Sequence, residues 1–114
     1  MLNRESIIAA DDLKKIEVDT PEWGGKVCVR MMTGSERDSL AASLRDAAGV
    51  VNMDGYRAKL LVRCIVGEDG NRLFTDADIA LLGAKSTLVL DRLFTAADTL
   101  NATSAAAVEE AEKN

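Results

Sequence analysis

The chain has 114 residues, a formal net charge of -5, 47% hydrophobic and 29% charged residues, and no histidine. This length and composition are typical of one globular domain that buries its own core, and they exclude an intrinsically disordered chain. The acidic balance argues against binding to nucleic acid or an anionic membrane, and no apolar run approaches the length of a membrane span. The N-terminus lacks the pattern of a secretory signal. We therefore predict one cytoplasmic domain over residues 1–103 and an acidic segment, 104–114, that frays.

A short helix is predicted over residues 3–10. Asn3 is a favourable N-cap, and Ile7 and Ile8 give the helix one apolar side. Because a helix of this length is not stable in water alone, we expect it to be docked.

A β-hairpin is predicted over residues 15–32. Apolar and polar residues alternate on both sides of a turn that begins at Pro21 and contains Gly24 and Gly25, both of which are expected to adopt positive φ angles. An isolated hairpin is marginal in water, so its apolar face should lie on helices. That face consists of Ile16, Val18, Val27 and Val29.

The rest of the chain has the caps and the apolar periodicity of helices. Thr33 and Glu36 match a capping box, and Gly49 and Gly83 follow apolar-periodic segments as helix stops. In the second of these helices Arg63 is expected to face solvent with the other basic residues. The predicted helices cover about 34–48, 54–66, 76–82 and 84–101. The predicted fold class is α+β, mostly α-helical, with four to five helices packed against one N-terminal β-hairpin.

No arrangement of residues predicts catalysis, a metal site or a cofactor. A chain without histidine lacks the commonest general base and metal ligand. Residues 69–75 resemble a calcium loop only in part, because Leu73 occupies a ligand position and Ala80 stands where the final Glu is needed. Cys28 and Cys64 have apolar neighbours, which favours two buried free thiols. We therefore predict that the protein is not an enzyme and has no cofactor.

The candidate partner contacts are apolar residues near the hairpin and in the C-terminal helices. Trp23 lies in the predicted hairpin turn, where an aromatic residue can anchor a partner; the alternative is that its indole covers Ile16 or Val29. Met31 and Met32 suit an adaptable contact, with core packing as the alternative. The predicted partner-binding residues are Trp23, Met31, Met32, Phe74, Leu100 and Val108.

Three segments carry a family resemblance: MLNRESIIAADDLK at the N-terminus, PEWGGKVCVRMMTGSERD in the hairpin region, and RCIVGEDGNRLFTDADIALLGAKSTLVLDRLFTAADTL over residues 63–100. The last of these places a helix end, an acidic turn, a short capped helix and a long amphipathic helix in direct succession. This order resembles the tail assembly chaperones of lambda-like, long-tailed bacteriophages and prophages.

The resemblance implies a protein that binds the tape measure protein, keeps it soluble during tail morphogenesis and is absent from the mature virion. It also implies a homo-oligomer and, as a further partner, a longer form of the same chain made by ribosomal frameshifting, all in the cytoplasm of the bacterial host. The alternative is a structural or adaptor subunit of the phage particle, such as a head-tail joining protein.

Overall fold

The computed structural model describes residues 1–101, which form five α-helices and a three-stranded antiparallel sheet. The helices are α1 (Arg4–Ala9), α2 (Gly34–Ser43), α3 (Tyr56–Cys64), α4 (Ile79–Gly83) and α5 (Thr87–Asn101). The strands are β1 (Lys15–Thr20), β2 (Gly25–Arg30) and β3 (Ile65–Val66), and two 3-10 turns cover Pro21–Trp23 and Asp76–Asp78. The predicted α+β, mostly helical fold with an N-terminal hairpin is confirmed. The predicted acidic segment and Val108 lie outside the described residues.

The hairpin pairs β1 with β2 in an antiparallel register that sets Ile16 opposite Val29 and Val18 opposite Val27. Val29 is fully buried, and Val18 and Val27 pack against the core formed by α3 and α5. The predicted helix contact of this face is therefore confirmed for three of its four residues. Ile16, at the outer strand, is 47% exposed.

The turn between β1 and β2 is a single 3-10 turn that ends at Gly24. Gly24 has a φ of 82°, in the left-handed region that favours glycine. Gly25 is the first residue of β2 and is not among the glycines with positive φ, so the prediction for Gly25 was wrong.

The predicted helix 34–48 ends at Ser43, five residues early. Asp46 explains this end, because its carboxylate accepts hydrogen bonds from the amides of Ala48 and Val50, both at 2.9 Å, and its own amide donates to the Val50 carbonyl. An Asp side chain that binds nearby backbone in this way competes with the helix. Ala48, the last residue of the predicted helix, therefore lies exposed in a loop.

The predicted helix 54–66 begins at Tyr56 and ends at Cys64. Ile65 and Val66 instead form β3, a strand absent from the sequence prediction, and pair with Val29 and Cys28 of β2. Both residues are β-branched and fully buried, so they suit a short central pairing better than a last helical turn.

Arg63 was predicted to face solvent, and this prediction was wrong because its side chain is only 1% exposed. Its Nη1 donates to the Lys59 carbonyl at 2.7 Å, and its Nη2 lies 3.0 Å from the Ser39 hydroxyl and 3.3 Å from the Asp76 carboxylate. Arg63 thus joins α3 to α2 and to the second 3-10 turn. Its Nε is buried without a hydrogen-bond partner.

The N-terminal helix α1 begins at a complete capping box between Asn3 and Ser6. None of its residues is buried, so the expected docking is not seen against the rest of residues 1–101. Ile7 and Ile8 remain exposed on its surface.

Candidate partner-binding groove

Two adjoining cavities form an apolar groove beside the hairpin turn, and Trp23 and Phe74 line both of them. The larger, of about 980 Å³, lies between the hairpin and the segment that follows β3. The smaller, of about 410 Å³, extends to α4 through Leu81. We call these two cavities the Trp23 groove. Its apolar lining residues include Ile16, Trp23, Val27, Leu73, Phe74, Leu81 and Leu82.

Trp23 is held in place by the 3-10 turn in which it lies. The neighbouring Glu22 carboxylate accepts two hydrogen bonds from the Arg92 guanidinium of α5, both at 2.8 Å, and Arg92 also donates to the Asp19 carbonyl at 3.2 Å. The hydrogen bond from Arg92 lowers the pKa of Glu22 to about 2. Trp23 itself is 37% exposed, so its indole is supported by an anchored turn while part of its surface stays open.

The opposite wall of the groove depends on a local cap. The Asp78 carboxylate accepts a hydrogen bond from the Thr75 amide at 2.8 Å and starts the 3-10 turn that leads into α4. The two adjacent leucines of α4 differ in exposure: Leu82 packs in the core, whereas Leu81 is 70% exposed. Phe74 is half-buried against the core and forms the floor between the two walls.

Charged side chains border the apolar lining of the groove. Lys15, Lys26 and Lys85 contribute positive charge, and Glu17 and Glu68 contribute negative charge. An apolar centre with a charged, solvent-exposed border is the usual composition of a protein-binding surface.

The structure brings two of the predicted partner-binding residues, Trp23 and Phe74, to one site. Met31 is half-buried outside the groove, and Met32 is only 7% exposed and belongs to the core, as the alternative proposed for it. Leu100 is half-buried against the core. Sequence reasoning missed three exposed groove residues, Ile16, Leu73 and Leu81, because only the tertiary fold decides which apolar side chains are left uncovered.

The titratable groups of the described chain do not converge on a reactive site. Burial raises the pKa of the Cys64 thiol to about 11, and Asn101 Nδ2 lies 3.7 Å from its sulfur. Both cysteines are free thiols: Cys64 is buried as predicted, whereas Cys28 is only half-buried. Within residues 1–101, no three His, Cys, Asp or Glu side chains are grouped to hold a metal ion. None of the helices in that range is long and apolar enough to cross a membrane.

Comparisons with known proteins agree with one another. A family model described as phage tail assembly chaperone matches residues 4–114. The solved structure of the bacteriophage HK97 tail assembly chaperone is similar to this chain with a TM-score of 0.62 and 17% sequence identity, over 84% of this chain and 94% of that one. At this identity the likeness shows a shared fold. No curated protein sequence matches the chain.

Proposed function

The chain belongs to the phage tail assembly chaperone family, and from this membership we propose that it binds the tape measure protein and keeps it soluble during tail assembly. In this proposal the protein acts in the cytoplasm of the bacterial host, catalyses no reaction, and is released before the virion is complete. The observation that carries the proposal is the family match over nearly the whole chain. The Trp23 groove supplies a surface on which such a client can be held.

The groove suits the apolar stripe of an amphipathic helix. A long helical client exposes such stripes before the tail tube encloses it, and exposed apolar stripes cause aggregation. Trp23, Phe74 and Leu81 provide aromatic and aliphatic surface at about 25 cal/mol for each Å² removed from water. Lys26 and Lys85 at the border can pair with acidic residues beside the stripe.

The groove is also largely formed before any client binds. The two hydrogen bonds between Glu22 and Arg92 fix the turn that carries Trp23, so binding orders few additional side chains. A preformed site loses less of its interaction energy to conformational entropy than a mobile one. This favours a groove that binds the client directly over a loop that folds around it.

Co-expression with the tape measure protein encoded by a neighbouring gene tests the proposal. We expect a soluble complex with the wild-type chain, and we expect Trp23→Ala to weaken it by at least tenfold, because a central tryptophan of an interface typically contributes about 2 kcal/mol or more. Val50→Asp is a matched control, since Val50 is an exposed apolar residue in the loop after α2, outside the groove. Absence of a complex with the wild-type chain, and no gain in client solubility, would overturn the proposal.

Mass spectrometry of purified virions separates this function from that of a structural subunit. A chaperone is missing from the particle, whereas a head-tail joining protein is present in stoichiometric amount. Detection of the chain as a regular component of mature virions would therefore favour the adaptor role.

The proposal includes two further partners, a second copy of the chain and a longer frameshifted form of it. Intact-mass analysis of the protein produced from the native gene tests for the longer form. A single mass corresponding to 114 residues would remove that form from the proposal.

A further inference from the structure

The outer edge of the sheet is open along β1. The strand order is β1-β2-β3, so within the described part of the chain β1 has a partner on one side only. Met31 donates its amide hydrogen to the Lys14 carbonyl at 2.9 Å, which fixes the alternation of hydrogen-bonded pairs along the hairpin. In that alternation the backbone groups of Ile16 and Val18 bond to β2, while those of Lys15 and Glu17 point away from the sheet.

Arg92 supports this assignment. The alternation also directs the Asp19 carbonyl outward, and that carbonyl accepts a hydrogen bond from Arg92 Nη1 at 3.2 Å. The carbonyl at this end of the edge is thus occupied. The backbone groups available to another strand are centred on Lys15 and Glu17.

We propose that β1 pairs antiparallel with β1 of a second copy of this chain, around a two-fold axis that passes through Ile16. The inference names the surface for the self-association that belongs to the proposed function. In this register Lys15 of each copy lies opposite Glu17 of the other, and the three-stranded sheets join into one of six strands.

The charges of the edge are complementary in this register. Lys15 forms no ion pair within residues 1–101, and Glu17 reaches only Lys26, at 3.9 Å. The pairing gives each Lys15 an opposite charge across the axis, twice per dimer. Directly opposed charges of unlike sign stabilise an antiparallel pair, and charges of like sign destabilise it.

The same register covers apolar surface. Ile16 is 47% exposed in the single chain, on the sheet face that packs against the helices. On the axis it meets Ile16 of the copy in a non-hydrogen-bonded pair, the type in which opposed side chains come closest, at about 4.5 Å between Cα atoms. Both exposed isoleucines thereby leave water.

Neighbouring registers are less favourable. An axis through Glu17 would set Lys15 opposite Asp19 but also Glu17 opposite Glu17 on the axis, and an axis through Val18 would set Glu17 opposite Asp19. Both registers also require the Asp19 carbonyl that Arg92 occupies, because Asp19 then pairs with Lys15 or with Glu17 of the copy. Of the three registers centred on these residues, only the axis at Ile16 pairs opposite charges and leaves that carbonyl bound.

Sedimentation equilibrium of the full chain tests the interface. We expect a concentration-dependent dimer whose dissociation constant rises about tenfold in Glu17→Lys, because two attractive pairs become repulsive, and returns toward the wild-type value in the double variant Lys15→Glu, Glu17→Lys. Glu17→Pro should abolish the dimer and leave the hairpin intact, because the amide it removes faces outward. Val50→Asp is the control for an exposed apolar residue elsewhere.

Three results would overturn the inference: a monomeric wild type, a dimer unchanged by Glu17→Pro, or a tighter dimer in Glu17→Gln, which would place the axis at Glu17.

Client binding is measured in parallel. A monomeric Glu17→Pro chain that binds the tape measure protein, even with altered affinity, agrees with both proposals, because Trp23, Phe74 and Leu81 of the groove lie outside β1. A β1-linked dimer without client binding would overturn the proposed function alone.

Discussion

Asn101, the last described residue of α5, has a buried side chain. Its Oδ1 accepts a hydrogen bond from the Met32 amide at 2.8 Å, and its Nδ2 donates to the Ala97 carbonyl at 2.7 Å. The Met32 amide is a buried donor just after the hairpin. One amide side chain therefore joins the segment that leaves β2 to α5, a role that the sequence around Asn101 does not reveal.

Replacing Asn101 with Ala should lower the free energy of unfolding by about 1–3 kcal/mol, because the Met32 amide is left buried without an acceptor. Urea denaturation measures the change. Thr99→Ala serves as the control, since the Thr99 hydroxyl bonds only to the Thr95 carbonyl on an exposed part of α5. A loss no larger than that of the control would show that water replaces the lost acceptor.

At the scale of elements, local signals predicted more than long-range ones. The N-cap of α1 and the capping box of α2 could be predicted, because a cap residue and the amide it binds lie within three residues of each other. The strand β3 could not be predicted from sequence, because Ile65 and Val66 form a strand only by pairing with β2. The burial of Arg63 likewise depends on Ser39 and Asp76, which are distant in sequence.

The sequence likewise predicted only part of the candidate site. Trp23 stood out because an aromatic residue in a turn has few core neighbours within reach in sequence. Leu81 did not, since a helix of five residues has too little periodicity to distinguish it from Leu82. The exposed wall of the groove is thus set by tertiary packing, which a single sequence does not encode in any local pattern.

The bond between the first 3-10 turn and α5 gives a prediction about pH. The pKa of Glu22 is about 2 in the folded chain and near 4.5 when the chain is unfolded. The ionised Glu22 carboxylate therefore contributes its full stabilisation above pH 4.5, and this contribution is lost as the pH falls through 2. We expect Glu22→Gln to lower the urea midpoint at pH 7, and the difference from wild type to shrink toward zero near pH 2. Comparison at pH 7, 4 and 2.5 measures this.

The control for that series is Glu5→Gln, because Glu5 has only a long, fully exposed contact with Arg4 at 3.9 Å. Its midpoint should follow the wild type at every pH. A Glu22→Gln difference that stays constant down to pH 2.5 would show that the turn is held by neutral hydrogen bonds instead of by charge.

At the scale of the whole molecule, the groove and the sheet edge share residues. Lys15, Ile16 and Glu17 line the larger cavity of the Trp23 groove and also form the proposed two-fold contact. Pairing through β1 therefore removes Ile16 from the surface open to a client and places the grooves of two copies beside the same joined edge. Self-association and client binding should then be thermodynamically linked, with each affecting the affinity of the other.

The helix α1 has no part in the core and gives the final prediction. All of residues 1–10 are exposed, so deleting residues 1–9 should change the free energy of unfolding by less than about 0.5 kcal/mol, as for surface changes in general. Urea denaturation, at protein concentrations where the chain is monomeric, measures this. Leu93→Ala provides the contrast, because Leu93 is fully buried and its truncation should cost about 2–5 kcal/mol. If the deletion instead destabilised the monomer as strongly as Leu93→Ala, Ile7 and Ile8 would have to pack against the rest of the same chain.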